Sequence, residues 1–245
     1  MPRYKATLEY DGTEFEGWQA QPHGNTIQQF IEKVFAEINL KNIKIFGSGR
    51  TDSGVHALGQ VFHFNYDHDL ECKKIIIGLN HFLKKKSVSI LSLEKSSEDF
   101  DARRDAVNRT YLYKILNRNS PPAIQRNKLW HVSKKLNIIQ MQSAARIFLG
   151  EHDFTTFRSI SCEAKSPVRT IIHSEIFENG NEVLYKIKSR SFLQHQVRSL
   201  VGALKFVGEG KWTIEDLDSV LKSKDRKNCA TPAPSCGLYL ERVEY

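Results

Sequence analysis

The sequence predicts an α+β fold of two related halves, each ordered βαββαβ in the ferredoxin-like manner, with mainly antiparallel sheets joined around a central cleft. Two observations carry this. Apolar patterns of period two and period 3.6 follow one another in the same order twice along the chain. The junctions between them carry turn and cap residues: Asp11-Gly12, Thr26 with Gln29, Gly150, Asn179-Gly180, Gly208 and Gly210. The halves are residues 1–105 and 106–245, with a seam near 100–108.

Tyr4 to Tyr10 alternates as a first strand, and Asp11-Gly12 ends it. Thr26-Ile27-Gln28-Gln29 is a capping box. The Thr26 hydroxyl takes the Gln29 amide, and the Gln29 side chain reaches back. Ile27, Phe30, Ile31, Val34, Phe35 and Ile38 then repeat at helical spacing and form a core face. Strands are expected at 43–48 and 60–66, a helix at 72–83 and a strand at Val88 to Leu93. In the second half Arg109 to Leu116 reads as a strand. Pro121-Pro122 opens a loop, and Leu136 to Phe148 reads as a helix ended by Gly150. Arg169 to Phe177 and Glu182 to Ser191 flank Asn179-Gly180, a hairpin signal. Helices at Gln194 to Val207 and around Leu217 to Leu221 precede a last strand, Gly237 to Glu244.

A chain of 245 residues has ample length for a buried core. The start, Met1-Pro2-Arg3-Tyr4-Lys5, carries no signal-like apolar segment, and Ile75-Ile76-Ile77 is too short to span a bilayer. Cys72, Cys162, Cys229 and Cys236 match no zinc pattern and read as reduced thiols of a cytoplasmic protein. The nine histidines form no metal-ligand spacing. Net charge is +8, and it is segregated. Residues 106–150 hold eight Lys/Arg and 183–208 hold five, with no Asp or Glu in either window. Such segregation suits a polyanion-binding face better than solubility alone.

The stretch from Gly47 to Ala57 joins two of the expected strands and holds three glycines with Arg50, Asp52 and His56. A glycine-rich turn between strands is a good place to expose a reactive carboxylate. An ordinary connection in which Asp52 caps a turn is the competing reading. Arg50, two residues away, is placed to pair with Asp52 and keep it ionised. His56 reads as a turn-stabilising residue.

Gly49-Arg50-Thr51-Asp52-Ser53-Gly54-Val55-His56-Ala57 resembles the GRTDxGVHA signature of the TruA family of tRNA pseudouridine synthases. Tyr10-Asp11-Gly12-Thr13 with Gly17-Trp18-Gln19 and Gln21-Pro22 resembles that family's opening. Phe100-Asp101-Ala102-Arg103, Arg109-Thr110-Tyr111-Leu112-Tyr113, Phe192-Leu193-Gln194-His195-Gln196-Val197-Arg198 and Gly237-Leu238-Tyr239-Leu240 resemble its later blocks. The blocks run in order over essentially the whole chain.

The resemblance implies isomerisation of uridine to pseudouridine in the anticodon stem-loop, at tRNA nucleotides 38, 39 and 40, by a homodimer. The reaction breaks the bond from C1′ to N1 and rejoins the base through C5. It changes no oxidation state and requires no cofactor in principle. A carboxylate that attacks or stabilises an electron-poor C1′ meets its need, and the resemblance makes Asp52 that nucleophile with Arg50 beside it. Base flipping is required, since C1′ and C5 are not both accessible in a stacked helix. Arg109, Tyr111, Tyr113 and Ile115 share one strand face. The resemblance makes Tyr111 the substrate-contacting ring, with Arg109 in the same set and Tyr113 as core. His195, Arg198, Gly202 and Lys205 share one helical face, where Gly202 admits a close approach. A solvated basic stripe is the alternative on spacing alone; the resemblance makes Arg198 an active-site arginine. The family's usual Asn and His are here Ser199 and Cys236. Lys186, Lys188 and Arg190 alternate along a strand and are placed to follow successive phosphates; an exposed sheet face is the alternative. The competing functions are a non-catalytic RNA-binding or RNA-folding protein and a nucleoside hydrolase. The second would not need two acid-free basic windows.

Overall fold

A computed structural model describes all residues, Met1–Tyr245. Its elements begin with β1 (Arg3–Tyr10), α1 (Ile27–Glu37), β2 (Phe46–Gly47), β3 (His56–Asn65), α2 (Cys72–Leu83) and β4 (Val88–Ser96). They continue with β5 (Asn108–Asn117), β6 (Trp130–Val132), α3 (Ile138–Ala145), β7 (Gly150–Asp153), β8 (Val168–Asn179) and β9 (Glu182–Ser189). The last are α4 (Gln196–Gly208), α5 (Ile214–Ser223) and β10 (Leu238–Glu244). The chain forms two compact units, Met1–Val107 with Tyr239–Tyr245, and Asn108–Leu238. The closing strand, read from the sequence as part of the second half, thus belongs to the first unit apart from Leu238. The first unit keeps the expected βαββαβ order through β4. The second does not, because it lacks that last strand and adds β6 and β7.

In the first unit β4, β1 and β3 pair antiparallel, with Tyr4 opposite Phe64 and Lys95. Both β2 and β10 pair with β3, β2 antiparallel at His63 and β10 parallel at His56. This pairing explains two departures from the local pattern. The strand expected at 60–66 starts at His56, because β10 arrives from the far end of the chain to pair with it. The strand expected at 43–48 shrinks to Phe46–Gly47. At Gly47 a Cβ would run into the Trp18 indole, and Ser48 N–H still donates to Val61 O of β3 just past the strand's end.

The core of this unit follows from α1. Ile27, Ile31, Val34 and Phe35 are buried on one face, and Phe35 packs on Phe62 and Phe64 with ring centroids 6.4 and 4.9 Å apart. Thr26 caps α1 by accepting from Gln29 N–H. The reciprocal half of the expected capping box is absent. The Gln29 side chain instead accepts from the Thr26 hydroxyl and donates to Gln21 O at 2.7 Å, tying the preceding loop to the helix. Asn80 of α2 bonds both the N–H and the carbonyl of Ile90, fixing α2 to β4.

In the second unit β5, β9, β8 and β7 pair antiparallel in that order, and β6 runs parallel to β5. The β8–β9 hairpin turns at Gly180-Asn181, one residue later than the sequence signal, with Gly180 at φ +60°. The strands β6 and β7 span three and four residues, too short for a period to be read. Asn137 caps α3, and Thr213 with Asp216 forms a complete capping box on α5.

Candidate active site

The loop carrying Asp52 is held from three sides within the first unit. Thr51, between Arg50 and Asp52, is buried; its carbonyl accepts from Trp18 N–H at 3.1 Å and its hydroxyl meets the Tyr10 phenol at 2.8 Å. Past Asp52, Gly54 N–H and the Ser53 hydroxyl both donate to Phe15 O. Before it, the Gln60 side chain accepts from the Ser48 hydroxyl and donates to Gly49 O. Two glycines of the segment after β1 permit this clamp. At Gly12 a Cβ would run into Val55 O, and Gly17, at φ +95°, lies where a Cβ would be 2.6 Å from Thr51 O. The opening motif and the Gly49–Ala57 motif are therefore one structure, the first forming the bed on which the second rests.

Asp52 is half-buried and Arg50 is exposed. The Arg50–Asp52 ion pair expected from spacing does not form: the Arg50 guanidinium has no hydrogen-bond or ion-pair partner. Thr51, between them, makes two inward bonds, and Arg50 is turned to solvent. His56 is buried, stacked on Tyr239 with centroids 4.7 Å apart. Its Nδ1 lies 3.1 Å from Gly12 N and 3.0 Å from Asp11 Oδ1. The neutral ring accepts the Gly12 N–H there, and a ring protonated at Nδ1 donates to Asp11. Both states brace the loop, which is the turn-stabilising role expected of it.

The Phe100–Arg103 block sits on His63 of β3. His63 Nδ1 accepts from Ala102 N–H at 3.0 Å, and the ring stacks on Phe46 at 5.2 Å. Burial, then the Arg3 charge, lowers the His63 pKa from 6.5. Asp101 accepts from the backbone N–H groups of Arg103 and Arg104. Burial opposes its ionisation, but those donors prevail and its pKa is lowered. Asp101 is a turn former, and Arg103 and Arg104 remain exposed.

In the second unit Tyr111 is 9% exposed and meets the Phe192 ring edge-on at 5.2 Å. Arg109 donates to Arg190 O, tying β5 to the residue after β9. Tyr113 is fully buried, its phenol donating to Pro234 O at 2.7 Å, and burial pushes its pKa far up. It is core, as the sequence reading held. The register places Tyr111 opposite Ile187, and Lys186 and Lys188 opposite Leu112 and Thr110. Directly opposed residues share a face. Tyr111 therefore projects from one face of the sheet and Lys186 and Lys188 from the other. These two lysines are half-buried, and Arg190 is exposed.

Arg198 lies on α4 and is anchored twice to one residue: its Nε donates to Ala233 O at 2.8 Å, and its carbonyl accepts from Ala233 N–H at 2.9 Å. The expected helical face is not presented to a ligand as a whole. A Cβ at Gly202 would run into Thr231 O, so the group approaching that glycine is the chain's own 231–233 segment. Lys205 pairs with Glu209 at 2.7 Å. His195 precedes the helix in a left-handed conformation, φ +62°, and is off that face. The Ser199 hydroxyl is buried without a hydrogen-bond partner, and the Cys229 thiol is its weak neighbour. The Cys236 thiol donates to Leu129 O at 3.5 Å, and Gly237 leaves room for the Tyr113 ring.

Arg50 and Asp52 thus share one loop of the first unit, while Tyr111, Arg109 and Arg198 belong to the second. Sequence reasoning missed Phe192 as the ring beside Tyr111 and Ala233 as the Arg198 anchor, since neither contact has a local signature. No three His, Cys, Asp or Glu side chains converge as metal ligands.

The family model described as tRNA pseudouridine synthase matches residues 6–103 and 144–245. The tRNA pseudouridine synthase A of Bartonella tribocorum is 47% identical over 247 residues, covering 100% of both chains. That of Parvibaculum lavamentivorans is 44% identical, again over 100% of both, and that of Brucella anthropi is 45% identical over 100% of this chain and 98% of its own. A crystal structure of a Cbf5-Nop10-Gar1 complex aligns with a TM-score of 0.32 and 14% identity, over 82% of this chain and 54% of that one. That overlap is too loose to argue from.

Proposed function

The chain belongs to the tRNA pseudouridine synthase family, and we propose that in this reaction Asp52 is the nucleophile, acting on uridines 38, 39 and 40 of the anticodon stem-loop. The observation that carries the proposal is the clamp on the Asp52 loop. The backbone on both sides of Asp52 is pinned, so a half-buried carboxylate is presented from a fixed support. A carboxylate so held pays little orientational entropy on meeting C1′.

In the proposed sequence the target nucleotide flips out of its stack. The Asp52 carboxylate attacks or stabilises C1′ as the bond to N1 breaks, and the pair of electrons from that bond stays with the uracil. The uracil turns and C5 bonds to C1′ as any Asp52–C1′ bond breaks and frees the carboxylate; the proton on C5 is then removed while N1 takes up one proton, which restores the ring. Arg50, exposed on the same loop, supplies positive charge to the RNA backbone beside the flipped nucleotide. Arg198 completes the catalytic set. Tyr111 stacks on or near the uracil and moves the C5 proton, with Arg109 setting the strand beside it. Lys186, Lys188 and Arg190 bind phosphates of a part of the tRNA away from Tyr111. The working form is a cytoplasmic homodimer.

Asp52→Asn tests the reading. An amide is a poor nucleophile, and a barrier raised by only about 4 kcal/mol costs on the order of 10³-fold in rate. The variant should bind unmodified tRNA as wild type does and form no detectable pseudouridine when the product is mapped by nucleotide position. A tenth of wild-type activity retained removes Asp52 as nucleophile. Modification at other positions, with Asp52 still essential, removes the anticodon assignment alone.

A further inference from the structure

The first unit holds a cavity of about 440 Å³ between α1 and the end of α2 to which the mechanism gives no task. Phe30 and Phe82 stand among its walls, with Lys33, Lys85 and Lys86 around it and Glu37 as the one lining carboxylate. Lys85 holds its ammonium 5.6 Å from the Phe82 ring centroid, and Lys86 lies 5.6 and 5.8 Å from those of Phe30 and Phe15. Lys86 also donates to Asn25 Oδ1 at 3.3 Å. None of the three lysines has a carboxylate partner.

Lysines at the end of a helix interact favourably with its dipole, which accounts for part of the Lys84–Lys86 turn after α2. It does not account for Lys33, which comes from α1 and converges on the same cavity. Nor does it account for Phe30 and Phe82, whose rings are left half-buried beside three cations. Aromatic faces flanked by cations are the combination that holds an unpaired nucleotide, by stacking on the base and attraction to its phosphates. The volume falls in the range of sites that take a ligand of that size. The cavity also shares a support with the Asp52 loop. Phe15, under Lys86, accepts through its carbonyl from Gly54 N–H and the Ser53 hydroxyl.

We propose that this cavity is a second RNA-contact site, taking a tRNA nucleotide other than the uridine being isomerised. The base lies against Phe30 and Phe82, and the adjoining phosphates face Lys33, Lys85 and Lys86. The inference rests on tRNA being the substrate and not on Asp52 being the nucleophile. Its location could not be read from charge windows, because these lysines lie outside both acid-free basic stretches.

Lysine acetylation of the wild-type protein, quantified by mass spectrometry with and without saturating unmodified tRNA, tests the site without any variant. Lys33, Lys85 and Lys86 should be protected about threefold or more. The double variant Lys33→Glu, Lys85→Glu, whose side chains make no hydrogen bond, should weaken tRNA binding on the order of tenfold and flatten its salt dependence by roughly 1.5. KM should rise with it, while kcat at saturating tRNA stays within about twofold of wild type. Equal acetylation with and without tRNA, or an unchanged dissociation constant and salt slope, overturns the site. So does protection by polyglutamate or ATP but not by tRNA, which would assign the cavity to an acidic protein or a free nucleotide. Failure of the Asp52 reading shows separately, as activity retained by Asp52→Asn.

Discussion

A single phenol decides whether Tyr111 acts as a ring or as a proton carrier. The residue is almost fully buried and its ring meets Phe192 edge-on, so Tyr111→Phe preserves packing and removes one oxygen. If the phenol moves the C5 proton, single-turnover rates should fall on the order of 10²-fold or more with tRNA affinity unchanged. A Phe variant nearly as fast as wild type, with Tyr111→Leu inactive, would leave only the ring with a function. Arg50 teaches a different lesson about single residues. Spacing placed it to pair with Asp52, but the guanidinium is exposed and makes no such pair.

Elements carry the next constraints. Helix propensity favours alanine over glycine within α4 by about 1 kcal/mol. Even so, Gly202→Ala should destabilise the protein, because its Cβ meets the Thr231 carbonyl and pushes away the segment that anchors Arg198. The expected outcome is a thermal midpoint lowered by several degrees and a kcat reduced more than the affinity for tRNA. A variant as stable and active as wild type would show that the 231–233 segment yields freely. On β3, His63 binds Ala102 N–H as the neutral ring. Its folded pKa is depressed, by burial first and then by Arg3, with Asp101 and Asp105 acting the other way. The unfolded chain therefore takes up that proton first on acidification. The stabilisation is fully present above about pH 6.5 and is lost as the pH falls through the depressed folded value. Thermal unfolding followed from pH 7.5 to 5.5 should show this loss, and His63→Asn, which keeps an acceptor but cannot titrate, should show less of it.

At the level of the whole chain, tRNA binding should be strongly salt-dependent. Each phosphate contact contributes roughly 0.7 to 0.9 to the logarithmic salt slope. Removing Lys186, Lys188 and Arg190 together should flatten that slope by about two to three if all three touch phosphates. The single-turnover rate at saturating tRNA should stay near wild type, because Lys186 and Lys188 leave the sheet on the face opposite Tyr111. An unchanged slope would move the RNA surface off this strand.

Motif blocks in register identify the family from sequence, and α1, α2, β5, the β8–β9 hairpin and α5 are legible there because their periodicity and turn residues lie within a few residues of each other. The sequence also placed Asp52 on a glycine-rich turn and Tyr113 in the core, because those environments are set by near neighbours. What depends on residues far apart in the chain came from packing. It moved β10 to the first unit as a parallel partner of β3, laid the Gly12–Trp18 segment under the Asp52 loop, and joined Arg198 to Ala233. It also put the Lys186–Lys188 stripe and Tyr111 on opposite faces. A local pattern records which way a side chain points relative to its own strand or helix. The group that arrives there from elsewhere is fixed by packing, and no window of sequence contains it.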